Sequence, residues 1–153
     1  MNIRKATKYD IPALAELFNN SVQQIAPQEY SSEQVIAWTA STSNLESFSK
    51  FILEPLTFVA EADNLILGFG GVDKSGYLSS LYVRGDYNRQ GIGSQLLTKI
   101  ITYAQINRIA RLYSYASEFS KPLLEKFCFK VYGEEDISRN GIIFHRYLME
   151  KLL

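Results

Sequence analysis

The sequence predicts an α+β fold on a mixed, mostly antiparallel sheet, and three observations carry the prediction. Residues 76–104 read in succession as a strand, a glycine-bearing turn and an amphipathic helix. Strand-like runs at 56–62, 65–72 and 76–83 follow one another with only short turns between them, the pattern of antiparallel neighbours. The helix then carries the chain to a new strand at 111–115, a crossover expected to be right-handed and to leave that strand parallel to 76–83. With 153 residues, 46% of them hydrophobic, the chain can bury one core and is too short for two, so a single domain is expected over 1–153.

Taken in order, residues 2–6 form a short strand. Asp10 is placed to N-cap a helix that shows Ile11, Leu14, Leu17 and Phe18 on one face, with Pro12 in the first turn, where a missing N–H costs nothing. Residues 26–30 break that helix, and the capping box Ser31-x-x-Gln34 opens a second one bearing Val35, Ile36 and Trp38. The Ser-, Thr- and Asn-rich run at 40–49 reads as a loop or a frayed helix. Asp63-Asn64 turns the first hairpin, and 73–76 lead into the central strand. Ile92, Leu96, Leu97, Ile100, Ile101 and Ala104 give the next helix its apolar face. Ser117 is a candidate N-cap for a short helix at 118–127, and strands at 129–134 and 142–149 close the chain around a turn at 138–141.

Sixteen basic and sixteen acidic residues cancel, which argues against nucleic acid or an anionic membrane as a partner. The single cysteine, Cys128, excludes an internal disulfide and suits a reducing compartment. The start of the chain is polar and no run is long enough to cross a bilayer, so the expected location is the cytoplasm. No Cys/His cluster has ligand spacing, and no metal is expected.

Chemistry points to the turn at 88–93. The first turn of a helix leaves backbone N–H groups without acceptors and carries roughly half a positive charge, which makes it a seat for phosphate. Gly91 and Gly93 let a phosphate approach the main chain, Arg89 adds charge at the rim and Ser94 a hydroxyl. The spacing is not the dinucleotide fingerprint, which needs glycine where Leu96 stands, nor a Walker loop, which needs glycine at Gln90 and lysine at Gly91. For Gly-Ile-Gly alone, an ordinary tight turn is the plain alternative.

The frame Asn88-Arg89-Gln90-Gly91-Ile92-Gly93, with Leu81-Tyr82-Val83 before it and Ser94-Gln95-Leu96-Leu97 after it, resembles the cofactor turn of the GNAT superfamily of N-acetyltransferases. Asn88 departs from the Arg or Gln usual at the first position. The order of strands and helices along nearly the whole chain is similar to the family's. The resemblance implies a seven-stranded sheet with four helices, whose fourth and fifth strands are parallel and splay to admit the pantetheine arm of acetyl-CoA. It implies that Leu81, Tyr82 and Val83 offer main-chain contacts beside the thioester, that residues 88–94 hold the diphosphate, that Ser117 touches the arm, and that Trp38 and Ser79 face the acceptor. The segment Ser120-x-Pro122-Leu123-Leu124-Glu125-Lys126-Phe127-Cys128-Phe129 resembles the family's helix and turn ending in Tyr-x-x-x-Gly-Phe. Leu124 stands where a tyrosine often protonates the leaving thiolate, and Cys128 replaces the glycine. The run Tyr30-Ser31-x-x-Gln34-x-x-x-Trp38 resembles a subgroup of bacterial acetyltransferases.

The expected activity is transfer of acetyl from acetyl-CoA to the primary amine of a small molecule by direct attack in a ternary complex. A protein or peptide N-acetyltransferase and a non-catalytic acyl-CoA sensor are the alternatives, and Leu124 keeps the second open. A backbone N–H near Leu81 or Tyr82 is expected to polarise the thioester. His145, the one histidine, has the intrinsic pKa of a general base, against the plain reading of a surface histidine on an edge strand. Tyr30 orients the amine or donates a proton, or is a half-buried tyrosine at a helix junction; Trp38 is pocket wall or core. Cys128 reads as a small buried filler, and Glu61 and Glu118 as solvated. A homodimer through the aromatic C-terminal strand stays open.

Overall fold

Seven strands and five α-helices build the protein, and the computed structural model describes residues 1–153 throughout. In chain order they are β1 (Asn2–Lys5), α1 (Ile11–Ile25), α2 (Ser32–Thr39), α3 (Leu45–Leu53), β2 (Leu56–Ala62), β3 (Leu65–Val72), β4 (Leu78–Val83), α4 (Ile92–Ile106), β5 (Arg111–Ala116), α5 (Ser120–Lys126), β6 (Lys130–Arg139) and β7 (Ile142–Leu152). Strands β1 to β4 form one antiparallel sheet in that order, and β5, β7 and β6 form a second with β7 in the middle. One parallel bridge, Tyr77 to Tyr113, joins the two. Hydrogen bonding thus divides the expected seven-stranded sheet into four and three. No helix is long and apolar enough to cross a membrane.

The fifth helix, α3, is the one the composition hid. Asn44 caps it, its Oδ1 accepting from Ser47 N–H at 3.1 Å, and Phe48 and Ile52, one turn apart, enter the core. The polar residues before it form a 3-10 turn and the cap, so helical spacing starts only at Leu45. The Ser31 capping box forms as expected, with Gln34 N–H donating to Ser31 Oγ at 3.1 Å and Ser31 N–H to Gln34 Oε1 at 2.9 Å. Asp10 makes no side-chain cap on α1. Its carboxylate instead accepts from Thr7 N–H and from both ends of the Arg4 guanidinium, which holds its pKa down. The β6–β7 hairpin turns on Asn140 (φ 50°) and Gly141 (φ 80°) alone, so Ser138 and Arg139 belong to β6 rather than to the turn.

Two cores lie on opposite faces of the first sheet. Leu96, Leu97, Ile100 and Leu124 of α4 and α5 cover Phe58 and Ala60, while Leu14, Leu17, Phe18, Phe48 and Ile52 of α1 and α3 cover Val59 and Phe69. Residues 58, 59 and 60 alternate between the two, as a pleated strand requires. Each buried Leu, Ile, Val or Phe side chain among them contributes about 1.5–3 kcal/mol. Tyr82 is locked by Phe18 and Phe69, with ring centroids at 4.6 and 5.4 Å, so aromatic packing fixes β4 against α1.

The sheets part just beyond Gly76. This residue (φ 93°) gives its carbonyl to Tyr113 N–H at 3.0 Å, and a Cβ there would sit 1.9 Å from the Arg111 carbonyl oxygen, which only glycine avoids. Ser114 Oγ then donates to Leu78 O at 3.1 Å. After this last link no backbone hydrogen bond joins β4 to β5. On its other side β4 slips register against β3 between Gly71 and Val72, leaving Ser79 as the extra residue of a bulge.

Candidate active site

The turn before α4 and the gap between β4 and β5 open into one cleft of about 610 Å3. In the turn, Arg89 (φ 64°) and Gly91 (φ 81°) are left-handed, a conformation that aims successive N–H groups into a common concavity. The first α4 hydrogen bond runs from Gln95 N–H to Gly91 O at 3.0 Å, and the N–H groups of residues 89–94 have no protein acceptor. Nothing lies within 4 Å of the place a Gly91 Cβ would take, so the approach is open. The loop is tied to α1: Arg84 donates to Glu16 at 2.7 and 3.2 Å, and Gly85 N–H to Asn20 Oδ1 at 3.0 Å. Asn88, Arg89, Gly91, Ile92, Gly93 and Ser94 line the cleft, whereas Gln90 does not.

The strand edge supplies the rest. Arg84 N–H donates to Leu67 O at 2.8 Å, so in the β3–β4 register Tyr82 bonds Phe69, and Leu81 and Val83 turn their backbone groups to the gap. Across the gap, Ser117 Oγ accepts from Phe119 N–H (3.2 Å) and Ser120 N–H (3.1 Å), capping α5, and lies 3.2 Å from Ser120 Oγ. An unpaired edge, an open gap and a cradle of free amides fit an acyl-coenzyme A: the amides would take its diphosphate and the edge its amide-bearing arm.

A second cavity, about 370 Å3, meets the cleft at Trp38, Leu81, Tyr82, Ser117 and Ser120. Tyr30, Trp38 and Phe144 pack its wall with centroids 5.3 to 6.1 Å apart. Trp38 Nε1 donates to Tyr82 Oη at 3.3 Å, and Tyr30 Oη accepts from Glu118 N–H at 3.0 Å. Burial pushes both phenols above their ordinary pKa, so each keeps its proton at neutral pH. At the β4 bulge the hydroxyls of Ser79 and Ser80 find no protein partner, and Ser80 is 5% exposed. No aspartate or glutamate lines this cavity, while Arg139, His145 and Arg146 do.

With free amides facing one cavity and an aromatic chamber facing the other, the match to known proteins decides the family. The model of the acetyltransferase (GNAT) domain matches residues 26–151. The chain belongs to the GNAT acetyltransferase family. It is 25% identical over 149 residues to the uncharacterized N-acetyltransferase YafP of Escherichia coli K12, covering 97% of this chain and 94% of that one. Its fold is similar to that of a GCN5-related N-acetyltransferase from Rhodopseudomonas palustris (TM-score 0.96, 24% identity, 99% and 95% of the two chains). It is also similar to PaiA N-acetyltransferase from Thermoplasma acidophilum in complex with coenzyme A (TM-score 0.81, 23% identity, 99% and 98%). As a GNAT acetyltransferase the protein draws its acetyl group from acetyl-CoA.

Within the GNAT frame, several residues sit otherwise than the sequence suggested. Both ring nitrogens of His145 lie 2.8 Å from carboxylate oxygens, Nε2 from Glu134 and Nδ1 from Asp136. These two bonds, Glu134's first, raise its pKa and favour an imidazolium with both N–H groups engaged, which has no lone pair for the base role. Leu124 is 1% exposed and belongs to the core, so no acid replaces the usual tyrosine at that position. Cys128 is exposed rather than a buried filler and accepts a left-handed φ of 69° in the glycine's stead. Glu61 pairs with Arg4 at 3.0 Å, and Glu118 accepts from Tyr147 Oη at 2.7 Å, which pushes that phenol up to about 12. Sequence reasoning missed Ser80, Ser120 and Lys126. Ser120 had a legible signal, lying one helical turn before Leu124 on the same face. The Ser80 hydroxyl is set by a bulge, and Lys126 reaches the cleft wall only through the tertiary placement of α5.

Proposed function

We propose that the protein transfers acetyl from acetyl-CoA to the primary amine of a small molecule by direct attack, with both reactants bound at once. The observation that carries this reading is the junction of the two cavities at Leu81 and Tyr82, where a donor-lined cleft and an aromatic chamber share a wall. Leu81 N–H, turned to the gap, is the donor for the thioester oxygen as charge develops there. Ser80 Oγ accepts from the amine, and Tyr30 and Trp38 hold its body. The amine nitrogen bonds to the carbonyl carbon, the C–S bond breaks, the nitrogen loses one proton and the departing sulfur gains one, giving an amide and free coenzyme A.

A neutral amine is needed for attack, and a chamber with no carboxylate on its walls offers an ammonium no counter-charge there. Proximity supplies much of the remaining acceleration. The leaving thiol, with a solution pKa near ~8.5, needs little help; Ser120, at the junction, and the neutral Tyr30 are the hydroxyls at hand. The chamber, about 370 Å3, suits a small molecule better than a protein segment.

Gly91→Glu and Gly91→Gln test the reading together. Both variants carry the same left-handed strain and nearly the same bulk, so only charge separates them. Acetyl-CoA affinity measured by calorimetry should fall by ~100-fold or more for Gly91→Glu and by under ~10-fold for Gly91→Gln. Equal affinities in the two variants would overturn the phosphate seat.

A further inference from the structure

Three cations line the acceptor chamber, and two of them are already answered. His145 sits between Glu134 and Asp136, and Arg146 is paired with Glu135. Arg139, the last residue of β6, has no carboxylate partner. Its guanidinium lies over the Phe144 ring, 5.4 Å from the centroid, and Phe144 packs against Tyr30 and Trp38. Tyr30, Tyr77 and Tyr82 line the same chamber. On the β4 wall of the chamber Ser80 Oγ is buried and unpartnered.

We propose that the acceptor is an amine that also carries a carboxylate on an apolar or aromatic body, with Arg139 holding the carboxylate and Ser80 the reacting nitrogen; this rests on the acetyltransferase reading above. One unanswered cation calls for one negative charge, which a carboxylate supplies and a phosphate, with nearly two, exceeds. The planar guanidinium matches a carboxylate through two parallel N–H bonds, and its other face stays on the Phe144 ring. The absence of acid from the walls removes the competitor that would otherwise bind Arg139 and repel the ligand. Tyr30, Trp38 and Phe144 offer apolar surface and no further charge. An uncharged amine of the same shape would leave Arg139 unpaired.

The test uses matched pairs, phenylalanine against phenethylamine and leucine against 3-methylbutylamine, with the full chain and saturating acetyl-CoA. Trp38 is the one tryptophan of the chain and lines the chamber, so its fluorescence reports binding in the presence of coenzyme A even without turnover. In the wild type the carboxylated member of at least one pair should bind and react ~10-fold or more better. Arg139→Gln should bring the ratio within each pair close to one, and Arg139→Lys should keep part of it. Because the ratio is internal to each variant, loss of folded protein does not alter it. Wild-type ratios near one, or a ratio that Arg139→Gln leaves intact, would overturn the proposal. If carboxylated amines bind preferentially but none is acetylated, the anion site stands and the small-molecule acetylation reading falls. If amines are acetylated without that preference, the acetylation reading stands and this inference falls.

Discussion

The two cavities that meet at β4 are made of different material. The cleft proposed for coenzyme A is built from backbone: free N–H groups at 89–94 and the outward edge of Leu81 and Val83. The chamber proposed for the acceptor is built from side chains, drawn from α1, α2, α3, β4, β5, α5, β6 and β7. Backbone donors ask little of the sequence beyond a glycine that can turn, whereas a chamber of side chains changes with every substitution. One half therefore suits a donor shared by a whole family, and the other suits an acceptor particular to one member.

That contrast can be broken by substitutions that should strike one cavity and spare the other. The largest effect is expected from Tyr30→Phe, which removes both the phenolic proton and the acceptor for Glu118 N–H. Turnover should drop by ~100-fold, within the range for a lost proton donor, while acetyl-CoA affinity stays within ~2-fold. A comparable loss of acetyl-CoA affinity would show that the cavities are not separable.

Ser80→Ala should cost ~10-fold in kcat/KM for the acceptor and yet stabilise the fold. A buried hydroxyl without a partner costs about 1–3 kcal/mol, and removing it should raise the melting midpoint by roughly 2–4 °C or more in a domain of this size. A lowered midpoint with unchanged kcat/KM would reverse the assignment and make Ser80 structural.

The smallest effect is expected at His145. Its pKa is raised above the ordinary imidazole value of about 6.5 by Glu134 and Asp136, so its folded-state stabilisation is fully present below that value and fades as pH rises through the higher folded pKa. His145→Gln should lower the urea midpoint slightly at acidic pH and progressively less above pH 6.5. The rising limb of the pH-rate profile should keep its shape, since the imidazolium supplies charge and no base. A flattened limb would restore His145 as the proton acceptor.

The elements themselves were legible wherever local spacing and special residues agreed. The Ser31 box, the Asp63-Asn64 hairpin and the apolar face of α4 each follow from interactions within a few residues, and each appears as read. α3 escaped because the cap and 3-10 residues before it share the composition of a loop. Asp10 escaped because Arg4, six residues back on β1, competed for its carboxylate. His145 was legible as a titratable group, but its two carboxylate neighbours lie across the hairpin on β6, and their register decided its charge.

By itself the sequence determined the order of the elements other than α3 and the glycine turn at 88–93 that we propose seats the phosphates, because helix starts, glycine turns and strand alternation are short-range physics. Only the tertiary structure decided where β4 and β5 part, that Ser79 bulges to leave Ser80 unpartnered in the chamber, and that Arg139 is the one chamber cation without a counter-charge. Those depend on how separate strands pair, where a single step of register moves a side chain from one face to the other.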